Sequence, residues 1–166
     1  MNKVYNFSKK VYWYILNTLF CIGCWVYIDS SYATEVYPSQ CKPIVVQHNV
    51  LDLRVLLPSM LMIHNLSHNE VWMTYRVNDE NKLSESRRIR SNKWSALAIK
   101  TGHFVIHCIE SIPGHEQNIA CARVLAACIW SPLTLPEGVK QTVWAGEDRS
   151  LSSLIAYMQR QGFSWS

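Results

Sequence analysis

Four histidines fall in pairs whose spacing could serve a metal: His64 with His68, and His103 with His107. Zinc and copper both accept imidazole nitrogen. His64 and His68 flank the turn-like Asn65-Leu-Ser-His-Asn69 and could converge across it. His103-Phe-Val-Ile-His107 is a β-branched, aromatic run, which reads as a strand. On a strand, residues four apart share a face but stand too far apart to chelate unaided. No H-E-x-x-H pattern is present. These residues define no metal site, and no cofactor is expected.

Two further pairs could move protons. His115-Glu116 follows Pro113-Gly114 at a turn and could act as acid and base. Nothing beside it supplies an obvious nucleophile, and the chain has no G-x-S-x-G elbow; it has no Gly-rich phosphate loop either. Glu147-Asp148 could pair as carboxylates, but both also suit the positive N-terminus of a following helix. No residue is therefore assigned a catalytic role. Arg87, Arg88, Arg90 and Lys93 form a basic cluster fit to meet an anionic lipid, a glycan or an acidic protein. They are the candidate partner-binding residues.

Where the cysteines sit decides what they do. Residues 1–10 carry Lys3, Lys9 and Lys10 and no acid; residues 11–28 are uncharged; Ser31-Tyr-Ala33 is a small-x-small site. This order reads as a secretory signal peptide over residues 1–33, or as an uncleaved membrane anchor, since the apolar run is long enough to span a bilayer. Of six cysteines, Cys21 and Cys24 lie in that segment. Residues 34–166 keep Cys41, Cys108, Cys121 and Cys128, without a C-x-x-C pair. An even set in an exported chain implies two disulfides rather than zinc. The whole chain carries a net charge of only +4, which gives no nucleic-acid signature.

The elements that must position these groups are mostly strands. A hairpin centred between Gly114 and His115 would set Cys108 opposite Cys121, Glu110 opposite Ile119 and Ser111 opposite Asn118. Facing residues lie within disulfide reach. The expected bonds are thus Cys108–Cys121 and, by remainder, Cys41–Cys128. The apolar run 119–130 reads as the second strand of this hairpin, and residues 121 and 128 differ in parity, so along it they would face opposite ways. Strands are also expected at 44–46, 50–57, 60–64, 70–77, 94–99 and 141–145. Residues 78–93 (NDENKLSESRRIRSNK) read as a long surface loop, and 131–138 as a second loop. Leu151, Leu154, Ile155 and Met158 follow helical spacing, with Asp148 or Ser150 as cap and Gly162 beyond the end. The tryptophans at 72, 94, 130, 144 and 165 suit a core or a contact patch. Asn65-Leu-Ser67 matches an N-glycosylation acceptor. The expected fold is one mainly β domain over 34–166, a small antiparallel sandwich or barrel with one C-terminal helix and two disulfides.

Several blocks resemble one family. They are His64-Asn-x-Ser67, Val71-Trp-x-Thr74, Trp94-Ser-Ala-Leu97, Cys108-Ile-Glu-Ser-x-Pro-Gly-His-Glu-Gln117 with Cys121 and Cys128, and Thr142-x-Trp-Ala-Gly-Glu-Asp148 before Leu151-Ser-x-Leu154. Together they resemble the small exported enhanced-entry (EnhB) proteins of Legionella-like intracellular bacteria, from about His64 to Phe163. The stretch from Glu85 to Arg90 is more basic than that family's pattern. The resemblance implies a periplasmic or envelope location, or secretion, and association with uptake by host cells or growth inside them. It brings no reaction and no catalytic residue.

The resulting expectation is a non-enzymatic accessory or binding protein, whose partners are envelope or secretion-apparatus proteins. Membrane contact would come only through an uncleaved N-terminus. An enzyme or enzyme inhibitor acting on cell-wall material is the first alternative, requiring a cleft where His115, Glu116 or Glu147 meets a polar partner. A metal-binding protein is the second.

Overall fold

The computed structural model describes residues 37–46, 49–77, 86–139 and 142–165. The expected leader over 1–33, with Cys21 and Cys24, lies outside them. Among the described residues no helix is long and apolar enough to cross a membrane.

The strands are β1 (Lys42–Ile44), β2 (Val50–Val55), β3 (Ser59–Asn65), β4 (Glu70–Val77), β5 (Arg87–Ile89), β6 (Trp94–Ile99), β7 (Gly102–Ile112), β8 (His115–Ile119), β9 (Leu125–Trp130), β10 (Leu133–Thr134), β11 (Val143–Arg149) and β12 (Ser164–Trp165). Helix α1 is the single turn Cys121–Val124, and α2 runs Leu151–Arg160. Sheet A orders β1-β9-β3-β6-β11 and sheet B orders β2-β7-β4-β5, with β8 also on β7; all pairings are antiparallel. A small third sheet joins β10 to β12. The fold is therefore the expected β-sandwich with a C-terminal helix and two disulfides.

Sheet A is buried on both faces, and its sequence shows why. Leu61, Ile63, Leu97, Ile99 and Ala127 face sheet B and meet Leu51, Leu53, Val71, Met73, Phe104 and Ile106. The alternate residues Met60, Met62, Ala96, Ala98 and Trp130 face away, against Leu154 and Met158 of α2, Cys41 and Phe163. Strands covered on both faces read as near-continuous apolar runs, as Met60-Leu-Met-Ile63 and Ala96-Leu-Ala-Ile99 do. Sheet B has one open face, so β2 and β7 alternate: Leu51, Leu53 and Val55 point in while Asp52 and Arg54 point out.

Helix α2 has the expected apolar face, with Leu154 and Met158 buried and Leu151 and Ile155 partly so. Ser150 stands at its N-cap. Its C-terminus closes as a Schellman motif: Phe163 N–H donates to Met158 O at 3.2 Å and Gly162 N–H to Gln159 O at 3.0 Å. The helix comes close to β11 at Gly146, where a Cβ would run into Leu154 Cδ1 and lie 3.3 Å from Tyr157 Cδ1.

Several expectations need correction; among the smaller, the loop read over 131–138 holds β10, and the strands read at 44–46 and 141–145 run over Lys42–Ile44 and Val143–Arg149. The stretch read as a loop to Lys93 contains β5, which pairs with β4 through Val71↔Ile89, Trp72↔Arg88 and Met73↔Arg87. Only Ile89 of this strand is buried, so it carries no apolar period to betray it. The hairpin turns on Pro113-Gly114 alone, with Ile112↔His115, Glu110↔Gln117 and Cys108↔Ile119. Gly114 takes φ 93° there, a backbone only glycine adopts at no steric cost. The register is thus two residues tighter than expected. Finally, 119–130 is not one strand. It ends β8, makes the turn α1, and enters sheet A as β9.

Candidate functional site

Both expected disulfides are present: Cys41–Cys128 with Cα atoms 5.5 Å apart and Cys108–Cys121 at 5.4 Å. Cys121 lies two residues beyond the register partner of Cys108, in the first turn of α1. That bond therefore staples the crossover between sheets. Cys41–Cys128 ties the segment before β1 to the face of sheet A that packs on α2. Two such bonds belong to an oxidising, extracytoplasmic compartment.

A dense polar assembly around Asn65 and Glu110 is one that sequence reading passed over. Asn65 ends β3 and is 0% exposed. Its Nδ2 donates to Asn69 O at 2.8 Å and to Ile89 O at 2.9 Å, and its Oδ1 accepts from Ser67 N–H at 2.8 Å. Glu110 points inward from β7 and is 8% exposed. One carboxylate oxygen accepts from the Ser67 hydroxyl and from Asn69 Nδ2 at 3.1 Å; the other accepts from Gln117 Nε2 at 3.3 Å. The Ser67 hydroxyl lowers the Glu110 pKa most, then Asn69; burial opposes, and Gln117 and the charge of Arg123 lower it further. The Ser91 hydroxyl donates to Ser67 O at 2.7 Å. The network thus binds the β3–β4 turn to β5, β7 and β8. Hydrogen bonds to a charged group contribute about 1.5–3 kcal/mol each, so its chemistry is that of a latch.

A signal for Glu110 was present. It continues the inward parity of Phe104, Ile106 and Cys108, and a carboxylate on a buried face must have partners. The same geometry removes the glycosylation reading, because Asn65 Nδ2 is buried and fully used.

The histidines do not come together. His64 stacks on Trp94 at 4.5 Å between centroids and its Nε2 meets Asn92 Oδ1 at 3.0 Å. His68 is exposed. His103 Nε2 lies 2.8 Å from Asp52 Oδ1 on the open face of sheet B, and His107 is exposed further along that face. Among the described residues no group of three or more metal-binding side chains is gathered. His115 and Glu116 are exposed at the start of β8. A cleft of about 340 Å³ opens where β2 and β8 abut on β7, with Asn49, His107 and Asn118 on its lining. His115, Glu116 and Glu147 do not line it.

The basic cluster lies along an edge of sheet B beside an edge of sheet A. Arg87 Nε is 3.1 Å from Glu147 Oε1, Arg88 Nη1 is 3.5 Å from Glu70 Oε2, and Arg90 Nε is 2.5 Å from Asp148 Oδ2. Asp148 Oδ1 also accepts from Arg90 N–H at 2.9 Å, and Asp148 N–H donates to Ser95 Oγ at 3.0 Å. Glu147 and Asp148 therefore sit in β11 and serve this clasp, not the helix N-terminus. Arg88 and Arg90 keep side chains more than half exposed. Lys93 is half-buried, and its main chain bonds Asn65 N–H and Arg90 O. Trp72, opposite Arg88 on the open face, is half-buried; Trp94 and Trp130 are core, Trp144 packs at its margin, and Trp165 stacks on Trp130 at 4.2 Å.

No family model, curated protein or solved structure matches the chain.

Proposed function

We propose that this chain is an exported, non-enzymatic accessory or binding protein of the bacterial envelope, a peripheral component of an envelope or secretion assembly. The observation that carries the reading is the pair of disulfides, each set into the core of a small sandwich, which suits an oxidising periplasm. The basic, then apolar, then small-x-small order of residues 1–33 supports export. The resemblance to the enhanced-entry proteins supports a role in uptake by host cells or growth within them. The polar groups that do converge are spent on one another, which favours a scaffold that presents a surface. That surface is the open face of sheet B at Trp72 and Arg88, continuing to Arg90 at the clasp.

The test is a pull-down of the tagged chain from crosslinked bacterial envelopes, read by mass spectrometry. A reproducible set of envelope or secretion subunits, lost on Arg88→Glu while the melting temperature holds, supports the proposal. Recovery of the protein alone after osmotic shock, with no crosslinked partner, rejects it.

A further inference from the structure

Val55-Leu-Leu-Pro-Ser59 carries the chain from sheet B to sheet A, and its two leucines point into solvent. Leu56 is 80% exposed and Leu57 56%. Adjacent exposed leucines on a tight crossover are not the scattered apolar residues any surface has. The tip is also held in shape. Ser59 Oγ donates to Leu57 O at 2.8 Å, and Leu133 N–H donates to Pro58 O at 2.7 Å. Exposing apolar surface on an anchored loop brings no folding stability, so a binding role accounts for it best.

The neighbours indicate the occupant. Val55↔Gly102 and Ser59↔Ile99 set the second crossover, Lys100-Thr101, directly beside the leucines. Lys100, Thr101 and Arg54 are exposed. Neither Lys100 nor Arg54 joins an ion pair among those of the described residues. The segments that meet here, 53–60, 99–102 and 130–134, contain no acidic residue. The nearest carboxylate on β2, Asp52, is turned to His103. An apolar tip flanked by cations without an ion pair among the described residues matches a bilayer interface with anionic headgroups, where apolar burial and cation attraction act together.

We infer that the Leu56–Leu57 tip, with Lys100 and Arg54, docks this protein onto an anionic lipid surface. This contact is separate from the Arg88 face, and from any membrane contact made through residues 11–28. It stands or falls independently of the protein partner proposed above.

The experiment uses the full chain with Cys21 and Cys24 replaced by Ser and an environment-sensitive NBD dye on Thr101→Cys. The label reports the tip itself, whatever residues 11–28 do. A second labelled chain carries Val45→Cys, at a site 78% exposed beyond the other end of the sandwich. Vesicles of phosphatidylcholine containing phosphatidylglycerol should shift NBD emission to the blue at 101 and leave 45 unchanged. Lys100→Glu should weaken this partitioning about fivefold, and Leu56→Asp with Leu57→Asp should abolish it at an unchanged melting temperature. No shift at 101 overturns the inference. So does an equal shift on phosphatidylcholine alone, a shift that survives the double aspartate variant, or one that appears only when envelope proteins are added.

Discussion

Asp148, on the edge of one sheet, grips Arg90, on the edge of the other, by both its main-chain N–H and its guanidinium. The grip joins β5 to β11, so the sandwich is clasped along that side. The opposite side, where β1 and β2 end their sheets, has no corresponding ion pair among the described residues.

Asp148 takes φ 52°, a conformation that Asn tolerates and that costs most other residues about 1–2 kcal/mol. Asp148→Asn keeps the backbone and an acceptor for Arg90 N–H. It should cost under about 1 kcal/mol, the scale of an exposed ion pair. Asp148→Ala loses both acceptors and strains the turn, and should cost about 2 kcal/mol or more. Urea denaturation of the two variants separates the contributions; equal losses would mean that charge alone makes the clasp.

Glu110 makes the latch sensitive to acid. Its folded pKa lies below the ordinary value of 4.5, chiefly through the Ser67 hydroxyl. The unfolded chain therefore binds the proton first. The stabilisation is complete above the unfolded value and is lost as pH falls through the folded one. Glu110→Gln should lower stability at neutral pH by about 1–3 kcal/mol and flatten its decline below pH 4.5. Thermal melts across the acid range test this, and an unchanged slope would remove Glu110 from the account.

The two disulfides close loops of very different length, with separations of 13 and 87 residues. Chain entropy assigns about 3 kcal/mol to a loop of ~15 residues and about 4.7 kcal/mol to one of ~100. Replacing Cys41 and Cys128 by Ser should thus destabilise more than replacing Cys108 and Cys121. With Cys108→Ser alone, Cys121 is fully buried, so maleimide should reach it only after unfolding. Denaturation midpoints and labelling with and without urea check both expectations.

Gly146 is kept small by α2. Gly146→Ala should cost about 1–3 kcal/mol, as overpacking does. Adding Leu154→Ala should cost less than the sum of the two single changes, because the second removes the atom that the first strikes. A double-mutant cycle with no coupling would show that the cost at Gly146 does not come from the Leu154 side chain.

Most of the architecture was legible in residue order because burial imposes it. The β-branched and aromatic run His103–His107 marked a strand, and Leu151, Leu154 and Met158 marked the helix. What escaped was set by contacts distant in sequence. β5 has one buried residue and exists through its ladder with β4. The Cys108–Cys121 pairing was right although the register beneath it was two residues off, because the chain bends at α1 to bring Cys121 back. Likewise, Cys121 and Cys128 are kept apart by a change of sheet, not by parity along one strand. The latch was hidden in plain polar residues: Ser67 and Asn69 gain meaning only when Glu110 arrives from 43 and 41 residues away.

The Cys41–Cys128 bond encloses nearly all of the sandwich within one covalent ring. A protease that nicks the chain once between those residues, at the Pro113-Gly114 turn for example, cuts the backbone without releasing a fragment. The two pieces stay joined through sulfur, and most of the interlocked strands keep their neighbours. Such damage would show on a gel only after reduction, so under oxidising conditions a clipped molecule could persist as one body.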